Sequence, residues 1–235
     1  SKDPQILLPE LLPFLMQAET FHEHSKRESK GSVNPYVNFS DLAWYEFALP
    51  PLEEQRRIAE VLLAFEHSLV SLGDACDSTR LAHQSACRWL GDALSKSPET
   101  QWTTIGELGD VRMGRQRSPK YQTGKHTTPY LRVANVFDGY IDTSDVLEMD
   151  FNERDYATYL LRDGDILLNE GQSRELVGRS AIYRGEVPDC CFQNTLIRFR
   201  SESVLPDFAQ TFFRYWLYTG KFIAASKQTT SIAHL

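Results

Sequence analysis

A stretch of basic and polar residues near the middle of the chain has the side chains needed to contact a nucleic acid. Residues 111–137 hold six Lys or Arg and no Asp or Glu. Guanidinium and ammonium groups bind phosphate oxygens, and Arg or Lys can also read the two acceptors of a guanine. The glycine-containing basic loop, residues 113–125, is therefore predicted to lie along DNA. Its predicted contacts are Arg115, Arg117, Lys120 and Lys125. An ordinary solvent-exposed loop is the alternative.

Two further polar loops carry side chains of the same kind. One follows a predicted strand, and its candidate DNA contacts are Asn169, Gln172, Ser173, Arg174 and Arg179. In an equally good interpretation, Arg174 and Arg179 pair with Glu170 or Glu175 and have a structural role. The other loop follows the last predicted helix, and its candidates are Lys227, Gln228 and Thr229. Hydroxyl and amide groups there suit phosphate contacts.

Residues for bond-making chemistry do not occur in usable patterns. The six histidines show neither metal-ligand nor catalytic-triad spacing, and there is no CxxC pair for zinc. No Walker loop is present. Asn34-Pro-Tyr is similar to the catalytic motif of adenine methyltransferases but lacks its second proline, so we interpret it as a turn. We therefore expect no catalytic residue, no metal site and no cofactor in this chain.

Composition indicates a folded protein. The 235 residues are 41% hydrophobic and 24% charged, which argues against disorder. No apolar run approaches the roughly 20 residues of a membrane helix. Four cysteines without a disulfide pattern favour a reducing cytoplasm. The net charge of −7 argues weakly against DNA binding, but a locally basic surface on an acidic protein can still bind phosphate.

A long helix is predicted over 51–97. Pro51 suits a first helical turn, and no proline follows before Pro98. About 45 helical residues would extend on the order of 65 Å. Spacings of 4 and 3 place apolar residues on one face, which predicts a partner helix in a coiled coil. The predicted interface residues are Ile58, Leu62, Phe65, Leu69 and Leu72. A helical hairpin broken near Gly73 is the alternative.

The segments on either side of this helix differ in pattern. In 1–50, an apolar helical stretch at 7–21 precedes a polar loop at 22–32 and a strand at 44–49. In 98–235, short β-like runs separated by turn residues precede one helix at 207–226. The runs begin at Thr103, Tyr130, Ile166, Ser180, Cys191 and Thr195. This pattern predicts an α+β domain with a twisted, mostly antiparallel sheet and flanking helices.

The head of the chain repeats its tail. LPELLPFL at 8–15 is similar to LPDFAQTF at 205–212, and each is followed by a polar stretch. The first copy continues into the helix start LPPLEEQ at 49–55. The long helix therefore separates the end of one module, residues 1–50, from a second copy at 98–235 that is incomplete at its C-terminus.

The sequence resembles the DNA-specificity subunit of Type I restriction-modification systems, as a partial or half-size form. One motif is the junction LPPLEEQRRI at 49–58, and another is YLRVANVFDG at 130–139. The third is LRDGDILLNEG at 161–171, which continues to VGRSAIY at 177–183 and QNTLIR at 193–198. The order and spacing of these motifs make the resemblance specific.

This resemblance implies a non-catalytic, cytoplasmic subunit whose target-recognition domain reads one half of a bipartite DNA target. It implies methyltransferase subunits docked on the helices and a motor-nuclease subunit for cleavage, with S-adenosylmethionine, ATP and magnesium on those partners only. It also implies that the spacer helix forms an antiparallel coiled coil with a second long helix. A homodimer through the spacer helix would complete a half-size subunit. A protein-interaction module built on the coiled-coil helix, without DNA reading, is the rival hypothesis.

Overall fold

A computed structural model describes residues 6–118, 122–173, 176–228 and 233–234, with only the backbone for 172, 227–228 and 233–234. The chain forms two compact units, unit 1 (Ser1–Thr79) and unit 2 (Arg80–Leu235). Within the described ranges, no helix is long and apolar enough to cross a membrane.

Unit 1 is helical. After a 3-10 turn at Pro9–Leu11, its helices are α1 (Leu12–Gln17), α2 (Glu19–Arg27), α3 (Phe39–Leu42) and the first part of α4 (Leu52–Lys96). Two predictions are wrong here. The polar loop predicted at 22–32 is mostly α2, whose Glu19 and terminal basic residues suit the two ends of a helix dipole. The strand predicted at 44–49 is irregular, and Tyr45 packs on Phe21 instead.

Helix α4 is continuous from Leu52 to Lys96, so the predicted long helix is confirmed and the alternative break at Gly73 is wrong. Of the five predicted interface residues, Ile58 and Leu62 are half-buried in unit 1. Phe65, Leu69 and Leu72 are 65%, 68% and 63% exposed. An apolar face of this kind fits a coiled-coil spacer. Its pairing with a second helix stays a prediction.

Unit 2 is built on three small sheets. The four-stranded sheet is antiparallel and has the order β1-β8-β4-β6, from β1 (Gly109–Met113), β8 (Leu196–Ser201), β4 (Ile166–Asn169) and β6 (Ser180–Ile182). The second sheet pairs β2 (Thr127–Leu131) antiparallel with β3 (Leu147–Asp150) and parallel with β7 (Cys191–Phe192). The third joins β5 (Gly171–Gln172), β10 (Ala233–His234) and β9 (Lys227–Gln228). The predicted mixed fold with a mostly antiparallel sheet is confirmed.

Helices complete unit 2. They are the C-terminal part of α4, α5 (Ile105–Leu108), α6 (Glu153–Tyr159), α7 (Pro206–Tyr218) and α8 (Lys221–Ala225). Helices α5, α6 and α7 pack against these sheets, and the end of α4 contacts α7. The strand predicted at Thr103 is wrong, because Thr104 and Glu107 form a capping box that starts α5. The helix predicted at 207–226 is interrupted at Gly220, whose φ of 73° is left-handed. Phe213 of α7 packs against Phe199 of the four-stranded sheet, with 5.6 Å between ring centroids.

The predicted repeat has a structural counterpart in each unit. Leu8 in unit 1 has φ −62° and ψ 128°, Leu205 in unit 2 has φ −64° and ψ 133°, and each precedes a proline that begins a helix. Further on, Lys30 bridges Tyr36 in unit 1, while β9 pairs with β10 in unit 2. The division of the chain into 1–50, 51–97 and 98–235 stays a prediction, since the two compact units share α4 between them.

Candidate nucleic-acid interface

The basic loop leaves the four-stranded sheet at the end of β1. Gly114 lies against the backbone of Gln193 in the same protein, and a Cβ added to Gly114 would stand 2.3 Å from the Gln193 carbonyl carbon. The Gly114 amide donates to the Leu196 carbonyl at 2.8 Å. The close backbone approach that Gly114 permits is therefore to Gln193, within the protein. At Gly124 the φ is +75°, and an added Cβ would meet nothing within 4 Å.

Of the three predicted contacts of this loop that the structure describes, Arg115 alone lies inside the protein. Its guanidinium donates to the Asp150 carbonyl, stands 2.5 Å from the Asp155 carboxylate and lies 4.8 Å over the Phe151 ring. The side chain is buried. A buried charge must be paired and hydrogen-bonded, and Arg115 meets this need with groups of its own chain. This placement favours a structural role over the predicted DNA contact.

Arg117 and Lys125 are exposed, as a DNA contact requires. Arg117 lies in the described stretch 116–118 at the start of the loop, and Lys125 lies in the described stretch 122–125 at its end. Lys120, the fourth predicted contact, lies outside the described residues. The exposed guanidinium and ammonium groups of this loop are suited to phosphate or to base edges, and their role stays a prediction.

Asp150 organises the returning end of the loop. Its Oδ2 accepts hydrogen bonds from the Thr123 amide at 2.5 Å, the Thr123 hydroxyl at 2.6 Å and the Gly124 amide at 3.1 Å. Its Oδ1 accepts from the His126 amide at 3.2 Å. These hydrogen bonds, the Thr123 hydroxyl foremost, lower the pKa of Asp150 to about 2. The carboxylate stays ionised and keeps the loop end in place at neutral pH.

Removal of the Thr123 hydroxyl is expected to raise the pKa of Asp150 toward its ordinary value of about 3.9. Because the pKa is lowered in the folded protein, the contribution of Asp150 to stability is present at neutral pH. It is lost as the pH falls from about 4 through about 2. Thr123→Val should therefore move this loss to higher pH. A titration of the Asp150 carboxyl carbon by NMR measures the change. Thr211→Val is the control, since that hydroxyl donates to the Asp207 carbonyl. An unchanged pKa in Thr123→Val would contradict the assignment.

The second predicted loop is divided between interior and surface. Asn169 is fully buried and donates to the Val136 carbonyl at 3.2 Å, which is a structural contact. The half-buried Arg179 guanidinium lies 4.6 Å over the Phe137 ring, and burial lowers the pKa of Arg179. Arg179 is therefore not a freely exposed cation, and Glu175, one of its two predicted partners, lies outside the described residues. Ser173 is exposed, and Arg174 lies outside the described residues.

The third predicted loop joins the second through the backbone. Gln172 in β5 pairs with Ala233 in β10, which in turn pairs with Gln228 in β9. Lys227 pairs with His234 in the same sheet. Thr229 lies outside the described residues. The structure therefore brings 171–172 and 227–228 into one small sheet, as a shared interface would require.

A family comparison finds a match that covers most of the first unit. Residues 4–72 match the family model described as "Type I restriction modification DNA specificity domain". The resemblance predicted from the sequence is confirmed. The matched stretch includes the junction LPPLEEQRRI and most of unit 1. No curated protein matches the sequence significantly.

Solved structures of Type I systems share the fold. A chain from a structure described for the complex assembly and conformational transition of the type I R-M system is 22% identical, with a TM-score of 0.50. The match includes 91% of the present chain and 54% of that chain. The S subunit from M. genitalium is 17% identical with a TM-score of 0.50, and 93% of the present chain covers 56% of it. The present chain thus spans about half the length of each of these two chains.

Sequence reasoning missed Asp150, which holds the basic loop of unit 2. Asp150 lies 25 residues or more from the basic loop and resembles any acid at the end of a strand. Arg132 and Asn135 lie in the motif YLRVANVFDG and hold another loop of unit 2 together. Asn135 accepts from the Arg132 amide at 3.0 Å and donates to the carbonyls of Asp142 and Asp145. The local signal for Asn135 was its family-typical motif. Asp150 had none.

Proposed function

We propose that this chain is a DNA-recognition subunit of a Type I restriction-modification complex, in which unit 2 reads one half of a bipartite target. The match of residues 4–72 to a DNA specificity domain carries the proposal. The fold likeness over more than nine-tenths of the chain supports it. The exposed Arg117 and Lys125, in a stretch without acids, supply charges suited to the DNA backbone and bases.

The same proposal assigns the chemistry to partners. Methyltransferase subunits would dock on the helices and a motor-nuclease subunit would cleave, with their S-adenosylmethionine, ATP and magnesium. The exposed apolar face with Phe65, Leu69 and Leu72 supports a partner helix, from a second copy or another subunit. A continuous α4 suits a spacer between two half-sites, since each base pair adds about 3.4 Å along the duplex. Mapping methylated adenines in host DNA with and without this protein would reveal the two half-sites and the gap.

DNA binding is expected to weaken steeply with salt. Each phosphate contact contributes a slope of about −0.9 in log K against log salt. Fluorescence anisotropy with a labelled duplex, from low to physiological salt, measures that slope. The rival hypothesis, a protein-interaction module, predicts self-association through α4. It predicts no salt-dependent binding to DNA. Absence of binding to every duplex tested, with the methyltransferase present, would contradict the proposed function.

Arg117→Ala is expected to cost about 1–3 kcal/mol of binding free energy and to relax the preference at one base position, if Arg117 reads a guanine. A loss that is uniform across sequences would make Arg117 a phosphate contact and would reduce the salt slope by about one. Anisotropy against a panel of single-base variants separates the two. Arg162→Ala is the matched control, because it removes the same charge from an exposed position outside the basic loop. Equal losses in both variants would contradict a specific role for Arg117.

A further inference from the structure

The two ends of the basic loop are fastened to the same short stretch of unit 2. At the outgoing end, the Arg115 guanidinium contacts the Asp150 carbonyl, the Phe151 ring and the Asp155 carboxylate. At the returning end, the Asp150 carboxylate accepts from Thr123, Gly124 and His126. The residues between these anchors, at 116–122, include Arg117, and Lys125 lies within the returning anchor.

The two anchors are chemically hard to replace. The four described groups that hydrogen-bond to the Asp150 carboxylate are all donors, and an ionised carboxylate has only acceptors. An Asn side chain would turn an NH2 group toward at least one of those donors. Arg115 presents a planar fork to a carbonyl and a carboxylate while its face lies on Phe151, which a Lys ammonium cannot do.

Fixing a loop before binding matters for a recognition surface. Each residue that is ordered only on binding subtracts conformational entropy from the affinity. A base-reading side chain must also meet its hydrogen-bond partners within a few tenths of an ångström. A loop held at both ends has paid most of this entropy during folding and presents its side chains in a narrow range of positions.

We propose that Asp150 and Arg115 are positioning residues for DNA recognition, which close the base of the basic loop and set the placement of Arg117 and Lys125. This inference rests on the proposed function. Neither residue needs to touch DNA, and Arg115 is buried. The Asp150 carboxylate therefore raises the affinity for DNA, although its charge repels phosphate. From charge alone, an acid near DNA is expected to lower that affinity.

Asp150→Asn in the full-length chain separates the effect of charge on DNA affinity from the effect of loop positioning. It removes one negative charge, which by charge alone should strengthen DNA binding. Loss of loop positioning should instead lower the affinity about tenfold and reduce discrimination among duplexes. Asp163→Asn makes the same charge change at an exposed carboxylate and should bind at least as tightly as the unmodified protein. Anisotropy gives both affinities.

Hydrogen exchange supplies the second readout. In Asp150→Asn, amides of 116–126 should exchange faster while those of β4 and β8 keep their protection, so that a general loss of folding is recognised. If Asp150→Asn does not fold, Thr123→Val removes one of the four hydrogen bonds and should show a smaller loss of affinity in the same direction. If the unmodified chain binds DNA and Asp150→Asn binds as tightly as Asp163→Asn, the positioning role is wrong and the proposed function stands. If the unmodified chain binds no duplex with the methyltransferase present, both are overturned.

Discussion

Asp165→Ala is expected to lower the free energy of unfolding of unit 2 by about 3–5 kcal/mol, since it breaks a buried ion pair on one side only. Asp165 is 1% exposed. Its two oxygens accept from Arg200 Nε and Nη2, each at 2.7 Å, in the paired geometry that makes charged hydrogen bonds strong. Its Oδ2 also accepts from the Arg162 amide at 2.8 Å and so closes the turn before β4. Without it, the Arg200 guanidinium would keep only the Leu160 carbonyl among its described partners.

Urea unfolding followed by circular dichroism, with hydrogen exchange of β4 and β8 to localise the effect, measures this loss. Asp145→Ala is the matched control, because its carboxylate pairs with Arg132 while the Asp145 side chain is 70% exposed. An exposed pair of this kind is worth at most about 1 kcal/mol. A loss in Asp165→Ala no larger than that in Asp145→Ala would show that the Arg200 pair does not stabilise unit 2.

The elements that could be predicted from the sequence are those whose own residues carry a clear pattern. Strand β4 has a short apolar run in which all four residues are buried, and it was predicted from that run. Helix α4 was predicted from its proline-free length and apolar spacing. The alternating run at 44–49 was predicted as a strand, yet Tyr45 meets Phe21 and Phe47 at 5.1 and 5.8 Å between ring centroids. Alternation shows that two faces differ, but a strand also needs a neighbour for its backbone.

The candidate interface divides in the same way. Arg117 and Lys125 are exposed as their polar, glycine-containing surroundings predicted. Arg115 stands in the same surroundings and is buried, because Asp150 and Asp155, 35 and 40 positions further along, fold over it. Asn169 was predicted to begin the loop after a strand, but it is the last residue of β4, and its side chain turns inward to the Val136 carbonyl. Side-chain direction at the edge of a sheet depends on long-range contacts, which spacing does not record.

Gln55→Glu is expected to destabilise unit 1 by about 3–5 kcal/mol, by analogy with buried charges left without a partner. Gln55 is the glutamine of LPPLEEQ and is 1% exposed. Its Oε1 accepts from the Leu8 amide at 2.9 Å, while its Nε2 donates to the carbonyls of Ile6 and Pro50 at 2.9 and 2.8 Å. Only an amide has the acceptor and the two donors that these three backbone groups require. A carboxylate would turn an oxygen toward two carbonyl oxygens.

The pH dependence of the loss distinguishes this cause from a simple packing defect. Protonation of the new carboxyl restores one donor, so the difference from the unmodified protein should shrink below about pH 5 and grow toward neutral pH. Urea unfolding at both pH values, with hydrogen exchange over 6–20, measures it. Gln17→Glu is the control, since Gln17 is exposed and its change should stay within about 0.5 kcal/mol. A loss independent of pH would contradict the hydrogen-bond explanation. The predicted pH dependence would show that this position needs an uncharged amide. The Gln55 amide holds the first turn of α4 to the segment before Pro9, and Pro9 begins the helix of the repeated module.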